Sequence, residues 1–481
     1  MTATRTATPL DNAMSLIILV ADGARADSFD AGIANGTLPA LARLRSEGGL
    51  HALTTVFPSV TGPAYAPFLT GRFPGPIGLP GLRWYDRART RCTVRPHCRS
   101  YLGSDMRHMD RDLDSRAPTL FELVRSRFSA MSMIARGARR REKVGPGLRL
   151  LTRIARTHWS GNVAGWLDID RHVASEAARR IRELRPELSF VALLGLDKTS
   201  HASGHDSSPA HGALGIVDDA VARIRDDAER AGRWDDTTLW VVSDHGHSEV
   251  RKHDDIAAHV ASLGHRVISH PWVYTRRPEV AVMVSGNAMA HLYLELARRE
   301  RPWWPELRAK WEPLVEALLE RDSVDLLLLP HSETRCEVRS RERGTAFVER
   351  DGKRYSYRPG SGDPLGLGSA PLLSLDSRES HEATMPTDYP DSLVQIINLA
   401  GSSRAGEIIL SAARGRDFRA HYEPIPHVST HGALHREHML VPLLANRPLP
   451  KRPRRTVDIM PSALRALGLA IPPGLDGVAF T

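Results

Sequence analysis

Three apolar runs constrain this chain more than any other feature: Ser15–Ala21, Ser189–Leu196 and Thr237–Ser243, each followed at once by an aspartate (Asp22, Asp197, Asp244). A short run that is apolar without alternation marks a strand buried on both faces, as in a parallel sheet covered by helices. Helical patterns separate the runs: Leu38–Gly48, closed by glycine, then Asp170–Leu184 and the amphipathic Ala213–Glu229. The alternation predicts an α/β fold, a mostly parallel sheet with helices on both faces. Open sheets of this kind hold their ligands beyond the C-terminal ends of the strands, where all three aspartates fall.

A chain of 481 residues has room for one large α/β domain with an insertion. The expected layout is a core of residues 14–264 and 421–481, an inserted cap at 265–420, and a disordered start at 1–13. Within the cap, strands are expected at 280–284 and 289–296, a helix at Trp303–Leu319 and a hairpin at Ala346–Tyr357 turning on Asp351-Gly352. In the core, a helix is expected at Pro118–Arg127, a strand at Ala130–Ile134 and a closing helix at Thr456–Leu467.

The formal charge of +9 fits an anionic substrate or a weakly nucleic-acid-attracting surface. Arg139-Arg140-Arg141 reads as a solvated basic face, and without interleaved aromatics it does not suggest nucleic-acid binding. Three cysteines (Cys92, Cys98, Cys336) cannot all pair, which suggests reduced thiols. The Met14–Ala21 run is too short to span a bilayer and lacks a cleavage site, so a cytoplasmic protein without a membrane span is expected. Oligomeric state is not encoded in these patterns.

The chemistry-bearing residues gather around those strand ends. Val56-Phe57-Pro58-Ser59-Val60-Thr61-Gly62-Pro63 leads into a helical run, Ala64–Thr70, with Thr61 where an N-cap is expected and Pro63 in the first turn. A hydroxyl there faces free N–H groups, a setting that suits phosphate or serves as an ordinary cap. Asp197 and His201 stand four apart, Asp244 and His245 are adjacent before Gly246, and His431 precedes Gly432, all expected in loops. With Asp22 they make three carboxylates and three imidazoles, enough donors for two zinc-like divalent ions. Taken singly, each has an ordinary alternative as a helix cap or surface residue. His205, His211 and His247 lie near the set, as supporting or surface groups.

The pieces ADG (Asp22), FPSVT (Thr61), DKTSH (Asp197, His201), SDHGH (Asp244, His245) and THG (His431) occur in one order along most of the chain. In that order they resemble the alkaline phosphatase superfamily, and within it the nucleotide pyrophosphatase/phosphodiesterase family. The resemblance implies an alkaline-phosphatase-like fold and a metal-dependent phosphoric ester hydrolase working on a small phosphorylated substrate through a phosphothreonine at Thr61. It assigns one metal to Asp197, His201 and His431, and a second to Asp22, Asp244 and His245 with the Thr61 oxygen approaching. Zinc is the expected ion, with manganese as the alternative. Thr61-Gly62-Pro63-Ala64-Tyr65 lacks the convertible residue and arginine of sulfatases, and the cofactor-independent mutases use serine. A phosphomonoesterase of the same superfamily, or a weak relative that binds a phosphorylated ligand, is the alternative reading.

One departure stands out. The family's diesterases carry an asparagine 21 residues after the nucleophile, and 61 + 21 = 82 is Leu82 here. Leucine donates no hydrogen bond to a phosphoryl oxygen. The sequence-based expectation is that Arg83, with its forked donors, binds the phosphoryl group while Leu82 and Trp84 receive an apolar part of the substrate.

Overall fold

The computed structural model describes residues 14–89, 97–144, 148–271, 273–419 and 427–481. Its first sheet has seven strands in the order Leu50–Thr54, Leu440–Ala445, Thr237–Val242, Ser15–Ala21, Leu188–Leu193, Arg127–Ala130, Lys143–Val144. Ser15–Ala21 sits between two parallel partners, with Val20 opposite Ala192 on one side and Val242 on the other. This register brings the three strand ends to one edge. Only the Leu50–Thr54 and Leu440–Ala445 side of the sheet is antiparallel.

Side chains alternate across a strand, so an unbroken apolar run must bury both faces. Leu16, Ile18 and Val20 face a layer built from Tyr65, Phe68 and the Ile459–Ala466 helix. Ile17, Leu19 and Ala21 face the Val163–Leu184 and Ser208–Arg230 helices through Ile169, Val173, Val217 and Val221. Each of the Leu, Ile and Val side chains contributes about 1.5–3 kcal/mol by its burial, so one strand holds both layers.

A second, nine-stranded sheet occupies 267–412, antiparallel except where Val267–Ser269 pairs with Val280–Ser285. The Trp304–Leu319 helix covers one face and Ser392–Ala400 the other. The hairpin forms as expected, Gly344–Asp351 pairing with Arg354–Pro359. A third sheet is small: Ser248–His253 pairs with Gly415–Asp417 and with Ser429–Thr430.

Two local expectations fail. The helix expected at Pro118–Arg127 shrinks to Leu120–Leu123, and the strand expected at Ala130–Ile134 runs instead from Arg127 to Ala130. Pairing with Leu188–Leu193 holds Arg127 and Phe128 extended, a tertiary contact that overrides local preference. Cys92 lies outside the described residues, while Cys98 and Cys336 are buried free thiols. Among the described residues no helix is long and apolar enough to cross a membrane.

Candidate metal centre

Asp22 directly follows the Ser15–Ala21 strand, and Asp244 stands two residues past Val242. Asp197 and His201 lie on a helix, Gly195–Ser203, rather than in a loop, so their four-residue spacing puts both on one face. That helix starts against Asp170, whose carboxylate accepts from the amides of Leu194 (3.0 Å) and Gly195 (2.6 Å). His431 arrives by a different route. The antiparallel register that sets Thr430 opposite Ser248 carries His431 beside His247. Gly286 then braces His431: its φ is +63°, and a Cβ there would lie 2.5 Å from Val60 and 2.8 Å from the His431 carbonyl.

Two groups of potential ligands result, each with its donor atoms within 4.8 Å of one another: Asp22, Asp244 and His245, and Asp197, His201, His247 and His431. All seven are buried. Thr61, half-buried, donates to Asp22 Oδ1 (3.2 Å) and lies 3.0 Å from His245 Nε2. It does not cap the helix. Gly62 takes that position with φ +94°, the chain makes one tight turn at Pro63–Tyr65 before Ala66–Thr70, and the Thr61 hydroxyl turns toward the carboxylates.

Sequence reasoning did not find Tyr65, whose hydroxyl donates to Asp22 Oδ2 at 2.6 Å. Nothing short of the Pro63–Tyr65 turn would have shown it. Likewise Lys198 Nζ holds Asp197 Oδ2 at 2.7 Å. Of the three neighbouring histidines, only His247 joins a cluster; His205 is half-buried outside both, and His211 is exposed and pairs with Asp206.

The electrostatics favour cations. Burial, followed by the charge of Asp197, lifts Asp22 to about 8, and burial with Asp22 nearby lifts Asp244 as well. Burial would also raise Asp197, but the Lys198 ammonium holds it well below the usual carboxylate range. Burial drives His245 down to about 3 and His247 to about 4, and lowers His431, leaving neutral imidazoles at neutral pH, the ligating form. Asp244 Oδ2 is buried with no hydrogen-bond partner, 3.4 Å from His245 Nε2. Three buried carboxylates, one with an orphaned oxygen, are costly unless cations neutralise them, so the donor set fits divalent metal.

Leu82, Arg83 and Trp84, expected to receive the substrate, have different surroundings. Trp84 is fully buried, its indole N–H donating to Tyr101 and its rings facing the guanidinium groups of Arg99 and Arg404. Its indole is closed off from solvent. Leu82 is packed in the same core and keeps only 8% of its surface. Arg83 is half-buried against a small cavity that it shares with Asp255, Ser269, His270 and Phe418, none of them in either cluster.

The fold is alkaline-phosphatase-like. Phosphonoacetate hydrolase from Sinorhizobium meliloti 1021, solved with phosphonoacetate, superposes with a TM-score of 0.55 at 16% identity, covering 95% of this chain and 96% of that one. Murine ectonucleotide pyrophosphatase/phosphodiesterase 5 gives 0.56 at 15% identity over 95% and 96%, and the human protein 0.55 at 14% over 96% and 97%. No curated protein matches the chain by sequence. Residues 16–319 match the model of the type I phosphodiesterase / nucleotide pyrophosphatase family, and the chain belongs to that family of metal-dependent phosphoester hydrolases.

Proposed function

We propose that the chain hydrolyses a phosphoric ester, phosphodiester-like or pyrophosphate-like, through a covalent phosphothreonine at Thr61 on a two-cation centre. The observation that carries this is the Thr61 hydroxyl aimed into the Asp22/Asp244/His245 cluster, 3.0 Å from His245 Nε2 and 3.2 Å from Asp22 Oδ1. Two divalent cations, zinc by the donor set with manganese as the alternative, supply Lewis acidity that lowers the pKa of the threonine hydroxyl and offsets phosphoryl charge.

The chain's own groups do the rest. Asp22, fixed by Tyr65, orients the Thr61 hydroxyl. Thr61 gives its hydroxyl proton to solvent, Oγ1 forms a bond to phosphorus as the bond to the leaving oxygen breaks in line, and the departing oxyanion takes a proton from solvent. Water then attacks phosphorus, the Oγ1–P bond breaks, and the hydroxyl is restored. We assign residues 14–264 and 421–481 to the catalytic core, and the 265–420 region to a lobe that meets the non-phosphoryl part of the substrate.

The test is hydrolysis of chromogenic phosphodiesters and phosphomonoesters with and without chelator, beside Thr61→Ala. The expected result is activity abolished by chelator and reduced by roughly four orders of magnitude or more in Thr61→Ala, with metal content unchanged. Activity indifferent to either treatment would refute the mechanism. A monoester preference would select the phosphatase form of the same chemistry.

A further inference from the structure

The Asp197 cluster contains one imidazole more than the three-residue set expected from the sequence. We infer that His247 is a fourth protein ligand of the cation held by Asp197, His201 and His431, an inference that rests on the two-cation reading above.

Asp197 uses its two oxygens differently. Oδ2 is held by Lys198, while Oδ1 faces three imidazole nitrogens: His247 Nε2 at 2.9 Å, His201 Nε2 at 3.2 Å and His431 Nε2 at 3.5 Å. The partner on the far side of each ring sets which nitrogen bears the proton. His201 Nδ1 meets the Ser429 carbonyl at 2.9 Å and His431 Nδ1 the Ser59 carbonyl at 2.9 Å. A carbonyl only accepts, so both Nδ1 atoms carry hydrogen and both Nε2 atoms present lone pairs.

His247 Nδ1 meets a hydroxyl, Ser429 Oγ, at 3.1 Å, and a hydroxyl could play either role. The hydrogen of Ser429 Oγ, however, goes to the Ser248 carbonyl at 2.9 Å. Ser429 Oγ therefore accepts from His247 Nδ1, and His247 Nε2 is the third bare nitrogen. The rival arrangement, in which His247 donates Nε2–H to Asp197 and merely positions it, requires the serine to abandon that carbonyl. Three lone pairs around a carboxylate oxygen repel one another unless a cation lies between them.

The backbone admits this ring by design of the first strand end. Gly23 has φ +80°, and a Cβ there would lie 2.9 Å from both Cδ2 and Nε2 of His247. Arg25 Nη1 holds the His247 carbonyl at 2.6 Å, fixing its approach. Four protein donors are the number that structural zinc sites use, whereas catalytic sites keep a position open. A cation at Asp197 would therefore be held more tightly than one beside Thr61, which has three such donors.

The test uses the cobalt(II)-substituted protein, in which each ligating imidazole with a protonated Nδ1 gives its own strongly shifted exchangeable proton signal. With two equivalents bound, the expected count is three signals from the Asp197 site plus one from His245, four in all. Three signals with two equivalents bound would overturn the inference. One bound equivalent giving three signals would sink the two-cation reading yet keep His247 as a ligand, and a protein that binds no cobalt overturns both. His247→Gln sharpens the result, since its amide can still donate to Asp197 but ligates poorly. The expected variant loses one signal and binds the tight ion more than about 100-fold more weakly, beyond the 10–100-fold typical of a positioning partner. Unchanged signals and affinity in His247→Gln would return His247 to a positioning role.

Discussion

Trp84 and Arg83 show how adjacent residues on one three-residue strand, Arg83–Tyr85, can have unrelated fates. The indole of Trp84 lies 4.9 Å from the Arg404 guanidinium and 5.4 Å from that of Arg99, and its N–H bonds Tyr101 Oη at 3.0 Å. Tyr101 in turn donates to Asp112. Trp84→Phe removes one donor from this buried chain and leaves a gap, which should cost about 1–3 kcal/mol of stability in denaturant titration. Because the indole is closed off from any ligand, kcat/KM should stay within about threefold of the parent. A large rise in KM at unchanged stability would put Trp84 back in the substrate site. Arg83→Ala is the companion measurement. A side chain sharing its cavity with Asp255 and His270 should leave kcat/KM within the same threefold margin, and a drop beyond about tenfold would restore Arg83 to the phosphoryl group. Chain position could not separate these residues, because neighbours on a strand point to opposite sides.

The Gly195–Ser203 helix is the element on which the Asp197 cluster depends, carrying Asp197 and His201 one turn apart. Asp170, from the Val163–Leu184 helix, accepts from the amides at its start, and burial raises this carboxyl to about 7 against the pull of those same amides. Asp170→Ala should cost about 1–2 kcal/mol, as lost helix caps do, and should weaken metal binding through the shifted helix. Calorimetric titration with zinc reads the second effect, and unchanged affinity would show that the helix start is held by other contacts. The carboxylates, the histidines and the central strands themselves were legible because each rests on a local signal: an apolar run, a following Asp, a glycine after His245. The helix itself was missed although its cue was present, since a spacing of four is the natural distance between ligands on one helical face. His431 was legible as a residue but its route was not. It is positioned by Ser429–Thr430, a two-residue strand too short for any periodic pattern.

Across the whole molecule, the potential ligands from Asp22 to His431 come together because the paired strands Ser248–His253 and Ser429–Thr430 bring His247 and His431 to the C-terminal ends of the central strands, and this assembly concentrates charge the solvent cannot reach. The pH dependence follows from the sign of the shifts. Asp22 titrates near 3.8 when unfolded and at about 8 in the folded, metal-free chain, where burial and Asp197 raise it. Between those values the folded protein keeps a proton that the unfolded chain has released, so stability falls as pH rises. The contribution is complete below about pH 4 and is lost as pH climbs through 8, at roughly 1.4 kcal/mol per pH unit for each retained proton. Asp244, raised by burial, acts in the same direction. A divalent ion reverses the balance, because it binds the deprotonated carboxylates and displaces their protons. His245, His247 and His431, which burial holds below the free imidazole value, act in the opposite direction until the unfolded imidazoles are neutral, so urea midpoints of the chelated protein should decline between about pH 7 and 8, while those of the zinc-saturated protein should hold level or rise. Zinc titration near pH 7 should also release protons, seen as a heat that depends on the ionisation enthalpy of the buffer. A chelated protein whose midpoint is flat over that range would mean that Asp22 and Asp244 are already ionised without metal, and that something other than cations compensates the buried charge.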